Sequence, residues 1–276
     1  MQTIAVTGGS GKAGRATSAE LLSAGYTVRN LDITAPAVRT CDFYKTDLNQ
    51  LGETIESMHG CDAVVHLAAN PDPTGRSEQV MFMHNTGSTY NVFRAAQILG
   101  MPRVVWASSE TVLGLPFERR IPPQFPVTES TIAPESSYAL SKLVSEEMAR
   151  QFASWSGATY VGLRFSNLME PHDYPRFADW QADPHVRKGN LWGYVDSRDV
   201  AQSCRRGLEA SLTGAEVFVI AAGDTVMHQS NAELVAQCFP GVQLDPALGA
   251  NETLLSIAKA RQLLGYQPQY SWRTSK

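Results

Sequence analysis

The chain has 276 residues, 43% of them hydrophobic, and a formal net charge of −4. This length holds one large domain, or a nucleotide-binding domain with a small lobe, around a sizeable core. Mild acidity without a basic run argues against nucleic-acid or anionic-membrane partners, and no apolar stretch reaches the roughly 18 residues of a membrane span.

Read in chain order, the first two-thirds alternates short β-branched runs with longer amphipathic ones, the pattern of a parallel α/β sheet. The first strand is expected at residues 4–7, so close to Met1 that no signal peptide is expected. A helix over 12–24, ended by Gly25, leads to a second strand over 26–33. Further strands are expected at 62–67, 103–108, 159–165 and 216–220. Helices are expected at 85–99, 136–156, 198–210, 230–238 and 253–264. A proline-rich loop over 116–134 and an aperiodic stretch over 170–193 interrupt the pattern. The fold expected is a doubly wound parallel sheet, Rossmann-like, of about seven strands with a small C-terminal substrate lobe. Residues 1–167 would form the dinucleotide-binding core, and 168–276 the lobe together with the last strand and helices of the core.

Gly8, Gly11 and Gly14 fall between the first strand and the first helix. Glycines so spaced allow a tight turn and close backbone approach, while the helix N-terminus favours the charge of a pyrophosphate. Asp32 ends the second strand, where a carboxylate accepts hydrogen bonds from a ribose 2′-hydroxyl and repels a 2′-phosphate. NAD is the expected cofactor, while Lys12, Arg15 and Arg29 lie near enough in sequence to leave NADP open.

Tyr138 and Lys142 stand four apart in an expected helix and so share one face. A phenol acts as a base at neutral pH only if its phenolate is stabilised, and moving its pKa from ~10 to about 7 takes roughly 4 kcal/mol. The Lys142 ammonium and the ring of an oxidised nicotinamide would supply that. Ser108 and Ser109 close a strand at the carboxyl edge of the sheet, where ligands collect, and a hydroxyl there would hold a substrate oxygen against Tyr138. The chemistry implied is proton transfer at a hydroxyl coupled to hydride transfer to a dinucleotide. Cys41, Cys61, Cys204 and Cys238 lack Cys-x-x-Cys spacing, so buried free thiols, no metal site and a reducing, cytoplasmic location are expected.

The motifs Thr7-Gly8-Gly9-x-Gly11-x-x-Gly14, Asp32, Asp47-Leu48, His66-Leu67-Ala68-Ala69, Asn85, Ser108-Ser109, Tyr138-x-x-Ser141-Lys142, Arg164-x-x-Asn167, Pro171 and Asp199-Val200-Ala201 follow one another in a familiar order. Over residues 1 to about 220 the chain resembles the extended short-chain dehydrogenase/reductases, the NAD-dependent epimerase/dehydratase group. The resemblance implies Tyr138 as acid/base, Lys142 on the nicotinamide ribose, and Ser109 polarising the substrate oxygen. It places Asp47 and Leu48 beside the adenine, Leu67, Ala68 and Ala69 along the cofactor, and Pro171 near its carboxamide. Asn85 matches an asparagine with either a cofactor-binding or a structural role. Asn70, Ser109, Glu110, Thr111, Asn167 and Arg176 are the implied substrate contacts, and a homodimer through the helices near Asn85 and Ser136 is implied as well.

Departures from the family pattern narrow the substrate. Leu113 stands where the family often has Tyr, and Ser88 where Gly is usual; Glu110-Thr111 replaces the Asp-Glu pair of the dehydratases. The short segment after Asn167 suits a compact substrate rather than a nucleotide sugar. Glu170-Pro171, Tyr174, Arg176, Trp180 and Asp183 are similar to the uronate dehydrogenases, in which an arginine at the Arg176 position binds the substrate carboxylate. Pro71 and Thr111 differ from that branch. The readings are a small-sugar or sugar-acid oxidoreductase first, an epimerase with transient oxidation second, and a non-catalytic NAD-binding regulator third.

Overall fold

The computed structural model describes residues 2–70 and 77–275. Seven strands form one sheet: β1 Thr3–Thr7, β2 Thr27–Asp32, β3 Asp42–Lys45, β4 Ala63–His66, β5 Arg103–Ser109, β6 Thr159–Phe165 and β7 Ala215–Ile220. Every neighbouring pair is parallel, in the order β7-β6-β5-β4-β1-β2-β3. Winding reverses between β1 and β4, and ligands bind in the crevice that this reversal opens beyond the strand carboxyl ends.

Strand residues alternate between two covered faces, which is why the strands read as continuous apolar runs. Ile4, Val6, Val65, Val105 and Val161 point to one core, and Ala5, Val64, Val104 and Tyr160 to the other. The first core is covered by helices α1 (Lys12–Ser23) and α5 (Ser197–Glu209); the second by α2 (Leu51–Met58), α3 (Glu78–Ile98) and α4 (Ser137–Ser156). Helices α6 (Asn231–Cys238) and α7 (Ala258–Leu264) belong to the C-terminal segment. Tyr174, Phe177, Trp192, Tyr194, Phe239 and Leu254 join the first core without a break, so the residues expected to form a lobe share one interior with the sheet. Two short parallel pairs, Leu168–Met169 with Val195–Asp196 and Gln124–Phe125 with Gln243–Leu244, stitch the connecting segments together.

Several boundaries differ from those expected. Helix α3 starts at Glu78, because the Ser77 hydroxyl accepts from Val80 N at 3.3 Å and caps it. The helix expected at 253–264 is confined to α7. Val127 draws the preceding residues into extended pairing, donating to Leu254 O and accepting from Ser256 N, each at 2.8 Å. The aperiodic stretch is built of two 3-10 turns, Pro171–Arg176 and Pro184–Asn190, and a single α-helical turn, Phe177–Trp180, runs too short to carry a helical period. Strand β3 and helix α2 were not anticipated. Among the described residues no helix is long and apolar enough to cross a membrane.

Candidate active site

The glycine turn between β1 and α1 is shaped by contact. Gly8 has φ +66°, and a Cβ there would lie 2.7 Å from Ala68 N. A Cβ on Gly14 would lie 2.1 Å from Gly8 O, so α1 packs flush against the turn. Asp32 sits beside it, Oδ2 accepting from Ser10 N and Oδ1 from Thr34 N, both at 3.0 Å. A backbone cradle with no room for a Cβ, at a helix N-terminus and beside a fixed carboxylate, fits a dinucleotide. The cations that left NADP open have other partners. Lys12 Nζ meets Asp173 Oδ2 at 2.8 Å, Arg15 Nη2 meets Glu170 Oε1 at 2.9 Å, and Arg29 donates to Ser57 O and His59 O.

The neighbouring loop ends are held by side chains. Asn49 donates to Asp47 Oδ1 through its backbone and its amide, which holds the Asp47 carboxyl below its ordinary range. Leu48 is buried and its carbonyl accepts from Asn91 Nδ2 at 2.8 Å. His66 lies between Thr7 Oγ1 at 2.7 Å and Thr89 Oγ1 at 3.1 Å. Burial, then the Lys142 charge, lowers its pKa to about 3, so it is neutral and structural. Ala68 N donates to Thr7 Oγ1 at 3.3 Å, fixing the Leu67-Ala68-Ala69 run beside the glycine turn. Asn85 spends both ends of its amide on Asn70, accepting from its N at 2.8 Å and donating to its O at 3.0 Å. Its role is to position that segment. Pro71 lies outside the described residues.

Ser109, Tyr138 and Lys142 come together at the carboxyl end of β5. Ser109 Oγ accepts from Thr111 N at 3.2 Å and Thr111 Oγ1 at 3.0 Å, which occupies both lone pairs and leaves its own proton to donate. Thr111 thus orients the serine. The Tyr138 hydroxyl meets Ser109. Lys142 Nζ donates to Ala107 O at 2.8 Å and lies 5.6 Å from the centre of the Tyr138 ring. Burial pushes Tyr138 up to about 12, with the Glu110 charge adding to this and the Ser109 hydrogen bond opposing it. Burial lowers Lys142 to about 8, against the Glu146 charge. The acidic phenol expected of Tyr138 calls for both Lys142 and an oxidised nicotinamide: without the ring, desolvation outweighs an ammonium held on a backbone carbonyl.

Glu146, one turn beyond Lys142, was missed from the sequence, although the four-residue repeat Tyr138, Lys142, Glu146 marks the inward face of α4. Its Oε1 accepts from Ser108 Oγ at 2.6 Å and Arg164 Nε at 2.8 Å, and its Oε2 from Arg164 Nη2 at 2.8 Å. Arg164 Nη1 donates to Glu129 O at 2.9 Å. This buried pair fixes the inward face of α4 to the ends of β5 and β6.

On the substrate side, Glu110 is buried and its Oε1 accepts from Asn190 Nδ2 at 3.3 Å. Burial raises its carboxyl to about 7, with the polar groups of Ser166 and Asn190 and the Arg187 charge opposing. Asn167, with its amide oxygen toward Arg187, accepts from Nη1 at 3.2 Å and Nη2 at 2.9 Å. Arg176 is 67% exposed and 3.9 Å from Asp173 Oδ1, and Pro171 opens the turn that carries it. Arg187 and Asn190 were also missed, because nothing local in the aperiodic stretch shows that it folds back onto the end of β5. Trp192 and Tyr194 are wholly buried. Asp196 caps α5, whereas Asp199 accepts from Gln269 N and Tyr270 N and ties down the C-terminal segment.

Known proteins share the sequence family and the fold of this chain. Residues 4–221 match the sequence model described as the NAD dependent epimerase/dehydratase family. The chain is similar to an L-arabinose 1-dehydrogenase (NAD(P)(+)) of Haloferax volcanii, 30% identical over 81% of this chain and 90% of that protein. It is also similar to UDP-glucose 4-epimerase 4 of Oryza sativa, 29% identical over 70% of this chain and 56% of the epimerase. A short-chain dehydrogenase/reductase superfamily protein of Agrobacterium tumefaciens, solved with bound NAD, superposes with a TM-score of 0.75 at 24% identity, covering 99% of this chain and 94% of that one.

Proposed function

The chain belongs to the NAD dependent epimerase/dehydratase family, and from that premise we propose that it is an NAD-dependent dehydrogenase of a small sugar or sugar acid. The observation that carries this reading is the meeting of Ser109, Tyr138 and Lys142 at the end of β5, beside the glycine turn. Bound NAD would supply the hydride acceptor. Gly8, Gly11 and Gly14 would hold its pyrophosphate, Asp32 a ribose, Asp47 and Leu48 the adenine, and Leu67, Ala68, Ala69 and Pro171 the remainder of the site, with Asn85 acting through Asn70. Tyr138 takes the proton of the substrate hydroxyl as the carbon loses hydride, and Ser109 donates a hydrogen bond to that oxygen. Lys142 binds the nicotinamide ribose and, with the cofactor in place, favours the phenolate.

Asn70, Glu110, Thr111, Asn167 and Arg176 border the sugar in this reading, Thr111 acting through Ser109. Residues 168–276 supply the substrate lobe together with the last strand and helices of the core in this reading. A cytoplasmic location is supported by the four free cysteines. A homodimer through α3 and α4 is supported by the exposed apolar side chains Met83, Tyr90 and Trp155 on those helices.

The test mixes protein and NAD with aldoses, uronic acids and nucleotide sugars, following absorbance at 340 nm and chromatographing the products. Stoichiometric NADH with one small sugar is expected, and isomerised product without accumulating NADH would make the protein an epimerase instead. Tyr138→Phe should lower kcat by roughly 1,000-fold or more, while NAD affinity measured by fluorescence titration stays within about twofold.

A further inference from the structure

Lys142 and Arg164 carry two positive charges into the interior behind Tyr138, and Glu146 carries one negative charge. Lys142 is 5% exposed, and Glu146 and Arg164 are 1% exposed each. An ammonium shut away from water loses its proton more readily unless an anion stands near it. Lys142 Nζ donates to a neutral acceptor, Ala107 O at 2.8 Å. Oxidised NAD would add a third positive charge. Glu146 follows Lys142 by one turn on the inward face of α4, a spacing that leaves Cβ atoms about 5 to 6 Å apart. Its charge opposes the effect of burial on Lys142.

Stability does not account for this arrangement, because a buried ion pair holds a fold together no better than apolar groups of the same size. Ser108 Oγ, Arg164 Nε and Arg164 Nη2 all donate to Glu146 and fix its carboxylate. Of the pair, the carboxylate is the member whose field reaches Lys142. The other titratable groups around Lys142 do not take its place. Burial favours the neutral forms of Tyr138 on α4 and of Glu110 after β5. His66 on β4 is neutral, and the buried polar residues of α3, Asn85, Ser88 and Thr89, carry no charge.

We propose that Glu146 is a positioning residue for the reaction: its buried charge keeps Lys142 an ammonium at the pH where Tyr138 takes its proton. This rests on the dehydrogenase reading above. Glu146 acts through Lys142 alone, and Arg164 and Ser108 hold it in place.

The experiment compares the parent with Arg164→Met plus Glu146→Leu, which removes both members of the pair, and with Arg164→Lys, which keeps one charge of each sign. Lysine labelled with carbon-13 at Cε reports the titration of Lys142 in NAD-loaded protein, its NMR signal identified by its absence from Lys142→Met. In parallel, kcat/KM for NADH formation is followed over about pH 6 to 10. The double variant should lower the Lys142 midpoint by about one to two pH units and move the alkaline limb of kcat/KM with it, a loss of roughly 10-fold or more on that limb. Arg164→Lys, although less stable than the parent, should leave both within about 0.3 unit. A merely structural role predicts the opposite order, with the limb following stability. An unmoved Lys142 midpoint in the double variant, or an equal shift in Arg164→Lys, would overturn the proposal. The titration is repeated with Glu110→Gln in every protein, and a shift that vanishes there would assign the effect to Glu110 instead. If the double variant does not fold, Glu146→Gln, which keeps an oxygen for Ser108 and Arg164 Nε, is titrated in its place with the same shift expected. A Lys142 signal that moves in a protein giving no NADH with any sugar would uphold this inference and sink the dehydrogenase reading. NADH formation with an unmoved signal would do the reverse.

Discussion

Glu110 shows how burying one carboxyl makes the stability of the fold depend on pH. Its carboxyl is raised to about 7 by burial, against an ordinary value of 4.5, so the folded state holds its proton to higher pH than the unfolded chain. The stability this contributes is present below pH 4.5 and is lost as pH rises through about 7. The gap between those values corresponds to about 3 kcal/mol at full ionisation. Glu110→Gln is neutral at every pH, so its stability relative to the parent should rise by roughly 2 to 3 kcal/mol between pH 5 and pH 8. Urea unfolding at the two pH values measures this. A constant difference would show that Glu110 titrates normally.

At the level of elements, helix α4 is placed by a lock one turn beyond Lys142. Glu146 on α4 and Arg164 on β6 are both buried and paired at 2.8 Å, with Ser108 on β5 as a third member. Arg164→Met would strand a buried carboxylate, and roughly 3 to 5 kcal/mol of stability should be lost. Arg164→Met with Glu146→Leu should recover most of that in denaturant titration, because two apolar groups leave no charge unsatisfied. An equal loss in both variants would mean that the pair acts by shape alone. The sequence revealed the glycine turn, Asp32, Ser109, Tyr138 and Lys142 because each has a local cue: a spacing, a strand end, a helical repeat. It did not reveal Arg187 or Asn190, whose place at the site depends on two 3-10 turns folding back onto β5. Thr111 meets Ser109 and Asn85 meets the Asn70 backbone, contacts that look the same in sequence as contacts to a ligand. Helix α7 is shorter than its apolar period suggested because Val127, far away in the chain, claims the residues before it.

At the scale of the whole molecule, the two faces of the sheet meet the outside differently. The first face is covered by α1 and α5 and then by the aromatic interior of the C-terminal segment. The second ends in α3 and α4, where Val80, Met83, Tyr90, Leu140 and Trp155 stay exposed, Trp155 at 62%. Aromatic and Met side chains grouped on two adjacent helices are the composition of an interface core. The particle mass in solution should be twice the 30.1 kDa of one chain, and Trp155→Asp should halve it in sedimentation equilibrium. A parent mass of one chain at every concentration would refute the dimer.

The strand order also has a consequence for the chain as it is made. Residues of β6 pair with β5 on one side and with β7 on the other, yet β7 begins only at Ala215. At the usual pace of translation, roughly 5 to 20 residues per second, the far edge of β6 waits on the order of several seconds for its neighbour. That edge belongs to Tyr160, Val161 and Leu163, all fully buried at the end. An apolar strand with unpaired backbone groups is a template for pairing with other chains. The interval between the emergence of β6 and that of β7 is therefore one in which a nascent copy of this protein gains from a chaperone.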